Sequence, residues 1–137
     1  MPTVTTCLEF SLPATPASVR KARVSVGDAA AGLGASERVV DDIRLCVSEA
    51  VSNVVRHAYG KTRGAVDVVL ERENGDFNVV VRDGGQGMKA ERPGKNVPGG
   101  YGLKIMNSVA ERMTITSTRN AGTEVRMKFP YAGASLA

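Results

Sequence analysis

The chain has 137 residues, of which 42% are hydrophobic and 4% aromatic, and a formal net charge of +4. This length and apolar content fit one domain with a real core and argue against wholesale disorder. The mild basicity permits attraction to phosphate or acidic partners. The bases are dispersed, however, and the three Phe and three Tyr form no repeated stacking pattern, so direct nucleic-acid binding is not expected.

The first predicted element is a strand over 4–12, VTTCLEFSL. Pro13 and Pro16 mark a turn, and residues 17–31 follow as a helix with a weak apolar face of Val19, Ala22, Val26 and Ala30. Gly32 and Gly34 break it. Ser36 is placed to N-cap a second helix running to Tyr59, with Gly60 as its C-cap. This helix carries Glu49, Asn53 and His57 at four-residue steps, hence along one stripe, beside apolar Val47, Val51, Val54, Val55 and Ala58. A carboxylate and an amide so spaced can orient a proton and offer an oxygen to Mg²⁺, which favours hard oxygen ligands. An ordinary solvated helix face accounts for the same spacing, and a structural role suits His57, the one histidine.

Residues 65–72 read as a strand, with Val66, Val68 and Leu70 on one face. Asn74-Gly75 is a hairpin turn, and 77–83 is a denser apolar strand that suits a central place in a sheet. It delivers Asp83 to a strand end. From Gly84 to Pro98 the apolar periodicity vanishes among four glycines and two prolines, which predicts a mobile loop. Residues 99–110 restore a helical pattern. Strands follow at 112–118 and 123–129, joined by a turn at 119–122, and the tail from 131 to 137 is expected to fray.

Cys7 and Cys46 are far apart and have neither metal-site spacing nor the density of a disulfide framework; Cys46 falls in an apolar helical pattern and suits core packing. The first residues lack a signal-like pattern, and no run of apolar residues is long enough for a membrane span. These features lead us to expect a cytoplasmic protein without a membrane association.

The glycine groups D83-G-G85-Q-G87 and G99-G-Y-G102-L let backbone approach a ligand, the second just before a helix N-terminus where phosphate is favoured. Neither matches a P-loop or sits in a Rossmann unit. Alone, each reads as turn chemistry. Together with E49-A-V-S-N53, H57-A58-Y59 and the later G122-T123-E-V125, the ordered set resembles the anti-sigma serine-kinase branch of the histidine-kinase-like ATPase superfamily, the Bergerat ATP-binding fold. The resemblance spans residues 4–130.

That resemblance implies a two-layer α/β sandwich with a mixed, largely antiparallel sheet and three main helices. It implies that Asn53 binds the metal, Mg²⁺, and that Glu49 positions or activates the nucleophile. Asp83 then recognises adenine of ATP or ADP, with Gly85 and Gly87 in the adjoining loop, Gly100 and Gly102 near phosphate, and Thr123 near the adenine contacts. The loop over 84–98 closes over the nucleotide. Proteins of this branch bind a sigma factor to restrain transcription and phosphorylate a serine on a small anti-sigma-factor antagonist; many form homodimers. An ATP-binding module that controls its partners without phosphotransfer shares almost all of these residues.

Overall fold

The structure is a computed structural model that describes residues 3–59, 64–85, 100–118 and 121–131. The element order is β1 (Val4–Pro13), α1 (Pro16–Gly32), α2 (Glu37–Asn53), a π-helical turn (Val54–Ala58), β2 (Ala65–Glu73), β3 (Asp76–Asp83), α3 (Gly100–Val109), β4 (Arg112–Thr118) and β5 (Gly122–Pro130). The sheet order is β1-β2-β3-β5-β4, so β3 is central, as its dense apolar run suggests. All four strand pairings are antiparallel, which completes the antiparallel share of the expected sheet among the described residues. β4 and β5 pair directly, and β5 lies between β3 and β4. The connection from β3 to β4 through α3 therefore straddles β5.

Alternation along the strands builds the core. Val66, Val68 and Leu70 of β2, Phe77, Val79 and Val81 of β3, and Val125, Met127 and Phe129 of β5 are buried in one cluster with the helices. α2 contributes Ile43, Cys46, Val47 and Val51, all fully buried. Each such aliphatic side chain stabilises the fold by about 1.5–3 kcal/mol. Burial, helped by the Asp42 and Glu49 carboxylates, pushes the Cys46 thiol up to about 12, in keeping with a packing role. α1 packs through Ala22, Val26 and Ala30, with Val19 half-buried beside them.

The local signals act as their chemistry requires. The Ser36 side chain accepts from the Val39 N–H at 3.2 Å, which supplies the N-cap of α2. A cap of this kind is worth about 1 kcal/mol. Asn74 takes a positive φ of 52° in the two-residue hairpin that pairs Glu73 with Asp76.

One expectation needs correcting. The second helix is not α-helical to Tyr59: it stops at Asn53 and continues as one π-helical turn. Such turns carry i→i+5 bonds and recur at functional sites. Gly60, Gly87, the segment from 86 to 98, the turn residues 119 and 120 and the tail beyond Tyr131 lie outside the described residues. Among those described, no helix is long and apolar enough to cross a membrane.

Candidate functional site

The last two turns of α2 hold Glu49 and Asn53 four residues apart, so their side chains lie one above the other. α3 begins at Gly100, and its first turn packs against them. A Cβ placed on Gly102 would come 2.9 Å from Glu49 Oε1 and 3.5 and 3.6 Å from the Asn53 amide atoms. Glycine at 102 therefore lets the backbone of the first turn of α3 lie directly against the carboxylate and amide. Asn53 Oδ1 is buried and has no hydrogen-bond partner among the described residues.

Asn53 also lines a cleft that opens between the π-helical turn and the ends of β3 and β5. Asp83 and Thr123 line the same cleft, and its apolar walls include Val54, Ala58, Val81, Leu103, Ile115 and Val125. His57 sits at its edge, exposed, with its imidazole held below the ordinary value first by partial burial and then by Arg56. Glu49 is not part of this wall. It lies one turn before Asn53, on the Gly102 side.

Asp83 ends β3 under close restraint. Its Oδ1 accepts from the Gly85 N–H at 2.9 Å. Partial burial raises its pKa above the usual carboxylate value, and the backbone N–H groups of Gly85 and Thr123 oppose the rise. Two glycines make the packing possible. A Cβ on Gly85 would lie 2.1 Å from the Ala58 carbonyl oxygen, and a Cβ on Gly122 would lie 1.9 Å from the Asp83 carbonyl oxygen. Gly122 also has a φ of +96°, which L side chains rarely adopt. Thr123 Oγ1 is 3.1 Å from Ser117 Oγ, so its hydroxyl is tied across the β4–β5 ladder.

The site thus gathers Glu49, Asn53 and Gly102 at one end, and Asp83, Gly85 and Thr123 at the other, with Asn53 common to the helix and the cleft. Gly100 starts α3 beside them, and Gly87 falls outside the described residues. Sequence reasoning gave no role to Gly122, to Tyr59 or to the apolar cleft wall. Gly122 stood directly before Thr123, but its need for glycine arises from the Asp83 carbonyl, which is distant in sequence. The residues fit an oxygen-favouring metal. Asn53 supplies a buried, unpaired carbonyl oxygen beside a carboxylate, and Mg²⁺ typically takes one or two protein oxygens and fills the rest of its shell with phosphate and water.

The profile of the histidine kinase-like ATPase domain matches residues 12–129. The chain is 29% identical over 121 residues to an anti-sigma F factor of Clostridium acetobutylicum, covering 81% of this chain and 84% of that one. It is 28% identical over 134 residues to the serine-protein kinase RsbW of Bacillus velezensis, covering 88% and 82%. Among solved structures, the RsbU and RsbW domains of Rv1364c from Mycobacterium tuberculosis share the fold, with a TM-score of 0.67 at 22% identity; the match covers 98% of this chain and 34% of that one. A histidine kinase domain from Erythrobacter litoralis EL346 gives a TM-score of 0.59 at 17% identity, covering 82% and 61%. With the profile reaching from the end of β1 to the end of β5, the chain belongs to the histidine kinase-like ATPase family.

Proposed function

We propose that the protein is an ATP-dependent anti-sigma factor serine kinase, with residues 4–130 as its ATPase domain. The observation that carries the reading is the buried, unpartnered Asn53 oxygen beside Glu49 and Gly102, at the head of a cleft that ends on Asp83. Asn53 would hold Mg²⁺, which would supply charge neutralisation for the phosphates of ATP or ADP. Asp83 accepts the adenine amino proton, a contact guanine cannot make at that edge. The apolar wall takes the base plane. Gly100 and Gly102 bring α3 backbone donors toward phosphate, Gly85 and Gly87 shape the adenine loop, and Thr123 stands opposite Asp83 in the β3–β5 pairing, near the adenine contacts.

In transfer, Glu49 orients a partner serine hydroxyl and accepts its proton. The serine Oγ–phosphorus bond forms as the bond from the γ-phosphorus to the bridging oxygen breaks, leaving ADP. Catalysis of this kind is largely positioning and charge stabilisation, which suits a site with one carboxylate and rigid backbone donors.

The serine belongs to a small anti-sigma-factor antagonist, and the restrained partner is a sigma factor. The name of the anti-sigma F factor supports the sigma-factor partner, and that of the serine-protein kinase supports serine as the acceptor. The protein is cytoplasmic and acts on proteins, without direct nucleic-acid or membrane binding. A homodimer is part of the reading: β1 is a sheet edge, and between it and α1 runs an apolar groove that includes Leu8, Phe10, Leu12 and the exposed Val24.

The test is phosphotransfer. Antagonist and sigma factor are first obtained by affinity capture with the purified protein. Labelled γ-phosphate should then move from ATP to serine on the antagonist. Protein that binds ATP and that antagonist but transfers nothing under varied Mg²⁺ is a binding module, and the kinase assignment fails.

A further inference from the structure

The Tyr59 hydroxyl sits where three segments of the chain meet. It donates to the Ala65 carbonyl oxygen at 2.6 Å, at the start of β2. It accepts from the Gly84 N–H at 2.8 Å, one residue after Asp83. A phenol has one proton; here it goes to Ala65, and an oxygen lone pair receives Gly84. The ring is held as well. Gly64 packs so closely that a Cβ there would come 2.2 Å from ring atoms. Tyr59 follows directly on the π-helical turn, whose Ala58 carbonyl abuts Gly85.

Asp83 is therefore gripped from several directions. Its carboxylate takes the N–H of Gly85, and Gly122 lies on its carbonyl oxygen. The peptide N–H that follows it is fixed by Tyr59. The Gly85 N–H acts on the carboxylate itself. The Tyr59 contact acts on the backbone that carries it, and links that backbone to the helix bearing Glu49 and Asn53.

We infer that Tyr59 is a positioning residue for purine recognition: its hydroxyl fixes the Asp83–Gly84 peptide and so the direction in which the Asp83 carboxylate faces the base. This rests on Asp83 being the adenine reader, as proposed above. The chemistry separates it from a merely structural tyrosine. A structural role weakens every nucleotide alike through loss of fold. A positioning role weakens the nucleotide that Asp83 reads and spares the one it does not.

Tyr59→Phe keeps the ring against Gly64 and removes both hydrogen bonds. ADP and GDP binding with Mg²⁺ should be measured by calorimetry on wild type and variant, alongside the thermal midpoint. ADP affinity should fall about fivefold, the worth of roughly one hydrogen bond, with GDP affinity unchanged, so that the ADP/GDP ratio falls by the same factor. In an Asp83→Asn background the same change should leave ADP affinity as it was, since no reader remains to be positioned. In the ligand-free protein the Gly84 amide should exchange faster in the variant, which checks the contact without any nucleotide. An unchanged ADP/GDP ratio in Tyr59→Phe overturns the inference, as does an equal loss for both ligands. A wild type that shows no preference for ADP overturns the adenine-reading role of Asp83 itself, and is thereby told apart from a failure of Tyr59 alone.

Discussion

On the outer face of the sheet, charged side chains answer one another; in the cleft under the helices, a polar atom is left without an answer. Arg82 meets Glu124 at 2.8 Å and Arg126 meets Glu71 at 3.0 Å, while Lys128 lies within 4 Å of both Glu73 and Asp76. Asn78, buried on that side, donates to Glu73 at 2.9 Å. Across the sheet Asn53 Oδ1 is buried and unpaired among the described residues. Partly exposed ion pairs such as those outside contribute little, about 0–1 kcal/mol each. Leaving a buried acceptor unmet costs about 1–3 kcal/mol. The outer network thus completes the fold's own surface, whereas the Asn53 oxygen is the acceptor that the proposed metal contact would satisfy.

The strongest way to sharpen this contrast is to remove chemistry from the inner region without emptying it. Glu49→Ala should lower the rate of phosphotransfer to the antagonist by about 10²–10⁴-fold, the range for a lost general base. ADP affinity should stay near wild type, because the phosphate-facing backbone is untouched. A parallel loss of ADP binding would show that Glu49 holds the nucleotide rather than acting in the transfer step.

Backbone packing comes next. Gly122→Ala forces a Cβ against the Asp83 carbonyl at a φ of +96°. The expected cost is about 2 kcal/mol or more, read as a lower midpoint in urea, together with weaker ADP binding. Gly75→Ala, in the β2–β3 hairpin where a Cβ would meet nothing within 4 Å, should weaken ADP binding not at all. Equal effects at both positions would remove the distinction between a glycine that serves the site and one that serves only a turn.

Protonation offers a milder probe. Partial burial raises the Asp83 pKa, and the ionised carboxylate is the better acceptor for the adenine amino group. ADP affinity should therefore hold at neutral pH and fall as pH drops through a pKa above the ordinary carboxylate value. Asp83→Asn should flatten that part of the profile. A wild-type profile that is flat down to ordinary carboxylate pH would contradict the assignment.

The smallest effect belongs to the outer face. Arg126→Gln breaks the contacts with Glu71 and Glu124, yet stability should change by no more than about 1 kcal/mol in denaturant titration, and ADP affinity should not move. A large loss of nucleotide affinity would join the two regions that this account keeps apart.

Much of the fold was readable because its signals are local. Ser36 capped its helix, Asn74 turned its hairpin, and the alternation Val125, Met127, Phe129 faced the core. Asn53 and Asp83, expected to share a site, line one cleft. Other features depend on contacts that sequence spacing does not carry. Five residues of π-helix, Val54–Ala58, are too few to distinguish from a 3.6-residue period, so the helix was read through to Tyr59. The insertion of β5 between β3 and β4 is a matter of tertiary pairing. The demand for glycine at 122 comes from a carbonyl 39 positions earlier, and the Tyr59 hydroxyl meets Gly84 across 25 residues.

Calorimetry with and without Mg²⁺ decides whether the unpartnered Asn53 oxygen is a metal ligand in nucleotide binding. ADP should bind wild type more tightly with Mg²⁺ than in chelator. Asn53→Ala should lose that increment, with a drop of at least about tenfold in Mg²⁺-ADP affinity, and should keep its metal-free affinity. A loss of the same size with and without Mg²⁺ would contradict the account and return Asn53 to a structural role.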